Sequence, residues 1–500
     1  MRKDTTPRIA IIGAGFSGLS TACYLAGKGY EVQIFEKNES IGGRARQLKT
    51  AEGYLFDMGP SWYWMPDVFE KVFSDFGYKV RDWYDLKLLD PGFEMVFKGQ
   101  EALQVPADTD LLYQLFDSIE PGGGDQLRSF LDDAAVKYKK SMEDLVYLPN
   151  HSVTEYFKWK YLKDLFRLNL FSSFSRHVRQ HFKDPRLIAL MEFPVLFLGT
   201  MPQETPALYS LMNYGGLQLG TWYPQGGFGK VIDALAKIAE EKGVKIHTGE
   251  LVSWIEVKKG KAIGLIAGDQ RHRFDAVIAS ADYHHVDSTL LPGQYRNYSE
   301  AYWDKRTLAP SALIFYIGIS KRIKKLHHHT LFFDEDLYAH SVEIYKDPKW
   351  PAKPLFYVCC PSKSDAAVAP EGHENLFFLM PLAPGVEDTQ ELREQYFSIM
   401  LERLEKYTGE TGLSARIDCK ISYCVNDFIR DYNSFKGNAY GLANTLSQTA
   451  VFKPKMRSKK VENLFYTGQL TVPGPGVPPA LISGNIVARE VDKYFKNRVL

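Results

Sequence analysis

The 500-residue chain lacks most of the features that would place it in a specialised structural class. Cysteine is scarce: Cys23, Cys359, Cys360, Cys419 and Cys424 lie scattered, with no C-x-x-C pair. That argues against a disulfide framework and against a zinc site, and no metal is expected. Net charge is almost absent, a formal +1, so no global field draws nucleic acid. No apolar run reaches the roughly 18 residues that cross a bilayer. The opening MRKDTTPRIAIIGAG is too short and too glycine-rich in its apolar part for a signal sequence. Internal repeats and low-complexity linkers are also missing. What remains is an ordinary globular composition, 45% hydrophobic and 24% charged, on a chain long enough for more than one domain. The aromatic share of 14% suits a large apolar binding surface, or simply a large core.

The most informative stretch is at the front, PRIAIIGAGFSGLSTACYLAGKGYEVQIFEKNESIGGRARQ. Arg8 to Ile12 reads as a buried parallel strand, and Gly13, Gly15 and Gly18 then complete G-x-G-x-x-G. Leu19, Ala22, Cys23 and Ala26 form a helical apolar stripe that Gly27 and Gly29 end. Glu31 to Phe35 is a second strand, followed by Glu36, 18 residues after Gly18. Each residue type has a physical task. Gly13 permits a tight turn, Gly15 lets backbone approach a pyrophosphate, and Gly18 allows close helix-to-strand packing. The helix N-terminus offers N–H donors and partial positive charge to phosphates. Glu36 can accept from both ribose hydroxyls of an adenosine and would repel a 2′-phosphate. Strand, triplet, helix, strand and acid at this spacing point to dinucleotide binding.

A second glycine pair with a guanidinium follows, Gly42, Gly43 and Arg44. It would let a second loop close over a pyrophosphate. Such a clamp resembles the two-dinucleotide-binding-motif flavoproteins, the amine oxidase and carotenoid desaturase superfamily. FDMGPSWYW, Phe56 to Trp64, stands where that superfamily has its D-x-G-P loop beside the isoalloxazine, which brings in Gly59 and Pro60. The resemblance therefore favours FAD over NAD. The chain returns to the cofactor domain later. A glycine loop, an amphipathic helix over Lys230 to Lys242 and two strands follow one another, with Val252 where the superfamily's backbone binds adenine. Phe274 to Asp282 and Glu462 to Gln469 read as further buried strands, the last reaching Gly468 and Gln469.

Together these segments resemble the bacterial-type phytoene desaturases, FAD-dependent carotenoid desaturases of the flavin amine oxidase superfamily, over essentially the whole chain. YPQGGFGKVIDAL, SDAAVAPEGHENLFFLMPLAPG and NLFYTGQLTVPGPGVPPALISG carry the carotenoid-specific part of the likeness. The resemblance implies FAD, a C40 polyene hydrocarbon such as phytoene as substrate, and association with a membrane. The implied reaction is successive hydride abstraction to flavin N5 with proton loss from the neighbouring carbon, from phytoene toward lycopene. The alternatives are a carotenoid isomerase or a desaturase of a later carotenoid. A non-catalytic isoprenoid binder, like the Rab GDP-dissociation inhibitors of related fold, would not need an intact phosphate loop, Glu36 and Arg44. A quinone or dioxygen is the expected electron acceptor, with the choice between them left open by the residues. Amine oxidases carry an acid after the glycine of the final strand; here Gln469 stands there, which speaks against an amine oxidase.

A hydrocarbon offers nothing to hydrogen-bond, so recognition must rest on an apolar tunnel, and no catalytic base is identified. His327 to Thr330 (HHHT) suggests metal at first sight, but between KRIKK and LFFDEDLY it reads as a solvated turn. His284-His285 reads as a helix start after Asp282. Asp427 and Arg430 are candidate acid/base residues, or equally a surface salt bridge. Glu155 to Lys183 carries seven Lys/Arg against two acids with interleaved aromatics, the pattern of a membrane-surface helix or of an ordinary helix with a basic face. Phe315 to His329 offers a second, weaker basic patch. These features suit a cytoplasmic protein held peripherally on the cytosolic face of a membrane.

The expected fold class is α/β: a Rossmann-like FAD-binding domain interleaved with a substrate domain of mixed sheet and helices. The FAD domain is expected from residues 1–75, 215–290 and 441–500. A largely helical, substrate- and membrane-contacting insert should span 76–214, and a mixed α+β substrate domain 291–440. In the tail, Gly474 and Gly476 alternate with Pro473 and Pro475 before Pro478 and Pro479. The last two prolines fit the first turn of a helix. Gly476 and Val477 would then pass close to a planar ring, with the helix N-terminus facing the flavin pyrimidine.

Overall fold

The computed structural model describes residues 6–143, 145–152, 155, 172–445 and 447–499. A five-stranded parallel sheet forms its first half, in the order Leu464–Tyr466, Ala276–Ala279, Arg8–Ile12, Glu31–Phe35, Lys245–His247. The central strands are continuous apolar runs because both faces are covered. Ile9, Ile11, Val32 and Ile34 point into the helical layer, where they share a core with Leu19, Ala22 and Cys23 of the helix Phe16–Ala26. Ala10, Ile12 and Phe35 point the other way, onto an antiparallel sheet of Val252–Lys258, Lys261–Ala267 and Gln270–Arg273.

The helices Phe228–Glu241 and Val477–Val499 pack against the first helix. Ser20 Oγ donates to the Leu481 carbonyl at 2.8 Å. A Cβ on Gly484 would come within 2.7 Å of Ser20 Cβ, so only glycine lets the first and last helices approach this closely. The helix expected over Lys230 to Lys242 thus appears, displaced by a residue or two. Two strands are shorter than their apolar runs suggested. Ser280 to Asp282 leave the sheet, and Asp282 caps the short helix Tyr283–His285 by accepting from the His285 N–H at 3.2 Å. The last strand stops at Tyr466 because the chain turns at Gly468, whose φ is +103°.

The second half is a seven-stranded sheet in the order Ile417–Tyr423, Ser311–Ile319, Glu374–Leu382, Phe356–Cys359, His329–Phe332, Phe93–Val96, Leu103–Val105. Every residue of Ser311–Ile319 is buried. Phe315 and Phe378 face the helix Gln390–Thr408, meeting Phe397, Met400, Leu401 and Leu404. Ala312, Ile314, Tyr316 and Tyr357 face the main core instead. The stretch expected to be largely helical holds the helices Gly123–Glu143, Phe174–His181 and Pro185–Glu192, and also lends this sheet the last two strands at one end.

One sequence expectation is overturned. His327 to Thr330 is no solvated turn: His328, His329 and Thr330 are buried, and the strand begins at His329. The charged flanks misled because they are tied down by partners distant in the chain. Lys321 pairs with Glu410, Arg403 with Asp334, and Lys325 Nζ donates to the Tyr407 carbonyl at 3.0 Å. The same contacts hold Lys321 and Lys325 of the weaker basic patch, and Arg322 lies 3.7 Å from Glu374. Of the basic segment Glu155 to Lys183, residues 156–171 lie outside the described residues. Among the described residues no helix is long and apolar enough to cross a membrane.

Candidate functional site

A cleft of about 270 Å³, partly open to solvent, lies at the carboxyl ends of the parallel strands. That is where open α/β sheets bind ligands, because backbone turns and helix N-termini converge there. The seven-stranded sheet closes the far side through Ala312, Ile314 and Leu379.

The structure brings together twelve of the thirteen residues singled out from sequence: Gly13, Gly15, Glu36, Gly43, Arg44, Gly59, Pro60, Val252, Gly468, Gln469, Gly476 and Val477 all line the cleft. Gly18 does not. A Cβ there would lie 2.1 Å from the Gly13 carbonyl oxygen, so Gly18 serves the close packing of helix on strand. Gly13 turns at φ +101° and donates to the Phe35 carbonyl at 2.8 Å. Gly15 caps the first helix without a side-chain partner, leaving that helix's first N–H groups to a ligand. The Gly42–Gly43 loop lies against it: Gly15 and Gly42 form a parallel bridge, and a Cβ on Gly43 would sit 3.2 Å from Gly15 Cα. On Gly59 a Cβ would lie 2.5 Å from the Arg44 carbonyl oxygen.

Glu36 is 5% exposed and already held, accepting from Ala14 N–H at 2.9 Å and Asn38 N–H at 3.0 Å. The two bonds aim its carboxylate at the cleft. Arg44 is the cleft's unbalanced cation. Its Nη2 donates to Ser434 Oγ at 3.2 Å and to the Asn438 carbonyl at 3.3 Å, and its guanidinium lies 4.9 Å from the Tyr432 ring centre. Its Nε is shut off from solvent with no partner, and among the described residues no carboxylate forms an ion pair with it. Neighbouring Arg46, by contrast, pairs with Asp431 at 2.8 Å. Gln469, its amide oriented to satisfy both neighbours, accepts from Arg44 at 3.0 Å and donates to the Ala439 carbonyl at 3.3 Å.

Sequence reading missed Ser17, Ser280, Asp282, His285 and Tyr432, which also line the cleft. Ser17 and Ser280 hydroxyls meet at 2.7 Å. Burial raises the Asp282 carboxyl above its ordinary range, and the Arg44 charge partly opposes that shift. Burial also lowers His285 to about 4, helped by the Lys37 and His284 charges. The SAD triplet after a buried apolar run was the available signal for Ser280 and Asp282. Asp427 and Arg430 are a structural pair. Asp427 accepts from Cys424 N–H at 2.9 Å, capping Val425–Tyr432, and bridges Arg393 at 2.8 Å and Arg430 at 2.6 Å.

The fit of a dinucleotide such as FAD is tested by these residues themselves. A loop-to-loop glycine cradle, an uncapped helix N-terminus and a buried guanidinium with an orphaned N–H suit a diphosphate. A carboxylate at the end of the second strand suits a ribose. The wall near the seven-stranded sheet is different in kind, built from Met58, Pro60, Ala312, Ile314, Leu379 and Ala439. Its polar members are Gln469 and Tyr440; burial pushes the Tyr440 phenol up to about 12, so it stays protonated.

The flavin-containing amine oxidoreductase family model matches residues 16–492. A carotenoid 3,4-desaturase of Haloarcula japonica is 41% identical over 482 residues, covering 96% of this chain and 97% of that protein. A zeta-carotene-forming phytoene desaturase of Myxococcus xanthus is 30% identical over 492 residues, covering 97% and 93% respectively. The crystal structure of an oxidoreductase from Methanosarcina mazei superposes with a TM-score of 0.61 at 20% identity, covering 96% of this chain and 100% of that one.

Proposed function

The chain belongs to the flavin-containing amine oxidoreductase family, in its carotenoid-desaturase branch, and from that premise we propose that it desaturates a long-chain carotenoid. It is a FAD-dependent oxidoreductase. The observation that carries the substrate class is the wall of Met58, Pro60, Ala312, Ile314, Leu379 and Ala439, which offers a hydrocarbon contact and an amine no counter-ion. The twelve cleft residues named from sequence bind the cofactor in this reading, with Gly18 holding the phosphate loop in shape.

Bound FAD supplies the two-electron acceptor for hydride from the polyene. The chain's own residues orient and dry the reacting bond. The apolar wall excludes water, and Gln469 links Arg44 to the Ala439 carbonyl at its edge. Tyr440 holds its proton at neutral pH, and the six wall residues carry no titratable side chain. The proton lost from the carbon next to the hydride donor must therefore pass to water at the open side of the cleft or to a base outside the six wall residues, a loss that an allylic position would ease. The domain division at 1–75, 215–290 and 441–500 is supported by the strands these segments lend to the parallel sheet.

The finer question is which carotenoid. Similarity of 41% to a 3,4-desaturase against 30% to a phytoene desaturase supports a substrate later than phytoene, already conjugated. The phytoene-to-lycopene reading is the competitor. A substrate dissolved in lipid suits a protein held peripherally on a membrane, passing electrons to a quinone or dioxygen. Purified protein with FAD should be given liposomes carrying phytoene or lycopene, and the products separated by their absorption spectra. Red-shifted products from lycopene, with phytoene untouched, are expected. Conversion of phytoene alone would reverse the choice, and geometric isomerisation without added double bonds would overturn desaturation itself.

A further inference from the structure

The buried histidines that the fold pulled out of solvent stand behind the flavin-facing loop, outside the cleft. We propose that His328, His329 and Cys359 form a zinc site that ties the seven-stranded sheet to the loop Met58–Trp64. One donor atom from each residue lies within 4.8 Å of the others, and all three side chains are buried. His329 and Cys359 face each other across the antiparallel strand pair. His328 precedes that strand, and its carbonyl accepts from the Cys360 N–H at 2.8 Å, which keeps it beside Cys359.

Three observations favour a cation over a chance cluster. First, both ring nitrogens of His328 and Nε2 of His329 have no hydrogen-bond partner, although buried polar groups nearly always find one. Second, one of the ligands, His329, is braced in the way metal-bound histidines are. Tyr357 Oη meets His329 Nδ1 at 2.6 Å and donates to Ser61 Oγ at 3.1 Å, while Trp62 stacks on the His329 ring at 4.1 Å between centres. Third, a cavity of about 10 Å³, the space of one small particle, opens beside two of the three residues, His328 and Cys359, with Asp57 also on its wall.

Two imidazoles and a thiolate are a donor set that zinc takes readily, with the fourth tetrahedral position filled by water or by a carboxylate. Binding breaks the Cys359 S–H bond, forms a zinc–sulfur bond and releases the proton to solvent. The thiolate offsets half the charge of a divalent ion, and Asp57 lines the same small cavity while accepting from Gln47 Nε2 at 2.9 Å and the Phe228 N–H at 2.9 Å. Ser61 directly follows Pro60, so the site fixes the loop from behind without entering the cleft. The role is structural.

The test uses tag-free, FAD-loaded protein dialysed against metal-free buffer. Atomic emission should find one zinc per chain in the native protein and none in Cys359→Ser or His328→Ala. Both variants should keep FAD, read from the flavin absorbance, so that metal loss is separated from misfolding. Cobalt(II) exchanged into the native protein should give a thiolate-to-metal charge-transfer band that Cys359→Ser abolishes. Native protein without zinc and without that cobalt band overturns the proposal whatever the variants do, as does zinc that survives both substitutions.

Discussion

Arg44 sits in the cleft with a solvent-shielded Nε and, among the described residues, no carboxylate in ion-pair contact, whereas Arg46, two residues on, is paired with Asp431. A guanidinium left in that state destabilises the empty protein and waits for an anion. Arg44→Met should therefore act in opposite directions on two measurements. FAD affinity, from flavin absorbance titration, should fall at least about tenfold, since a hydrogen bond to a charged group is worth roughly 1.5–3 kcal/mol. The thermal midpoint of the FAD-free protein should hold or rise. A second isolated charge is Lys453, 2% exposed, whose Nζ has no partner. Burial lowers its pKa from 10.5 to about 7. Between those values the unfolded chain binds a proton that the folded chain does not, so stability rises with pH across that window. Lys453→Met should be more stable than the native protein at neutral pH. The difference in denaturation midpoint should shrink as pH approaches 10.5.

At the scale of elements, the last helix, Val477–Val499, begins where the cleft wall ends. Gly474 at φ +144° and Gly476 at φ +111° steer the backbone into it, in a region that side chains rarely adopt. Pro478 and Pro479 fill its first turn, where a missing N–H costs little. A Cβ on Gly476 would stand 3.2 Å from the Pro479 ring, and a β-branched residue would add strain to crowding. Gly476→Val should yield a folded protein that does not retain FAD through gel filtration; normal retention would separate this turn from the cofactor. The opposing helix, Phe16–Ala26, shares the design, with glycine at the cleft end and close packing behind.

On the scale of the whole molecule, the cleft lies between the five-stranded and the seven-stranded sheets, whose facing residues share one core. FAD at about one hundred times its Kd should add roughly 2.7 kcal/mol to folding stability, because it binds the folded chain alone. A calorimetric scan should show a midpoint that climbs with the logarithm of FAD concentration, and Arg44→Met should show a smaller rise at the same concentrations.

Much of this was legible in the sequence. The parallel sheet and its phosphate loop are local: a β-branched run, three glycines at fixed spacing, an apolar helical stripe and an acid occupy Arg8 to Glu36 without reference to the rest of the chain. The glycine positions of the cleft follow for the same reason, since a positive φ or a close approach admits little else. What tertiary structure alone decided are the contacts made by residues that carry no special backbone demand. Ala312, Ile314 and Leu379 look like any strand residues, and only the docking of one sheet on the other turns them into a cleft wall. His328 and His329 read as solvated because their neighbours are charged, yet distant partners on Glu410, Tyr407 and Arg403 hold those charges outside and leave the imidazoles in the core. Sequence spacing fixes what a few bonds can reach; burial depends on what arrives from elsewhere in the chain.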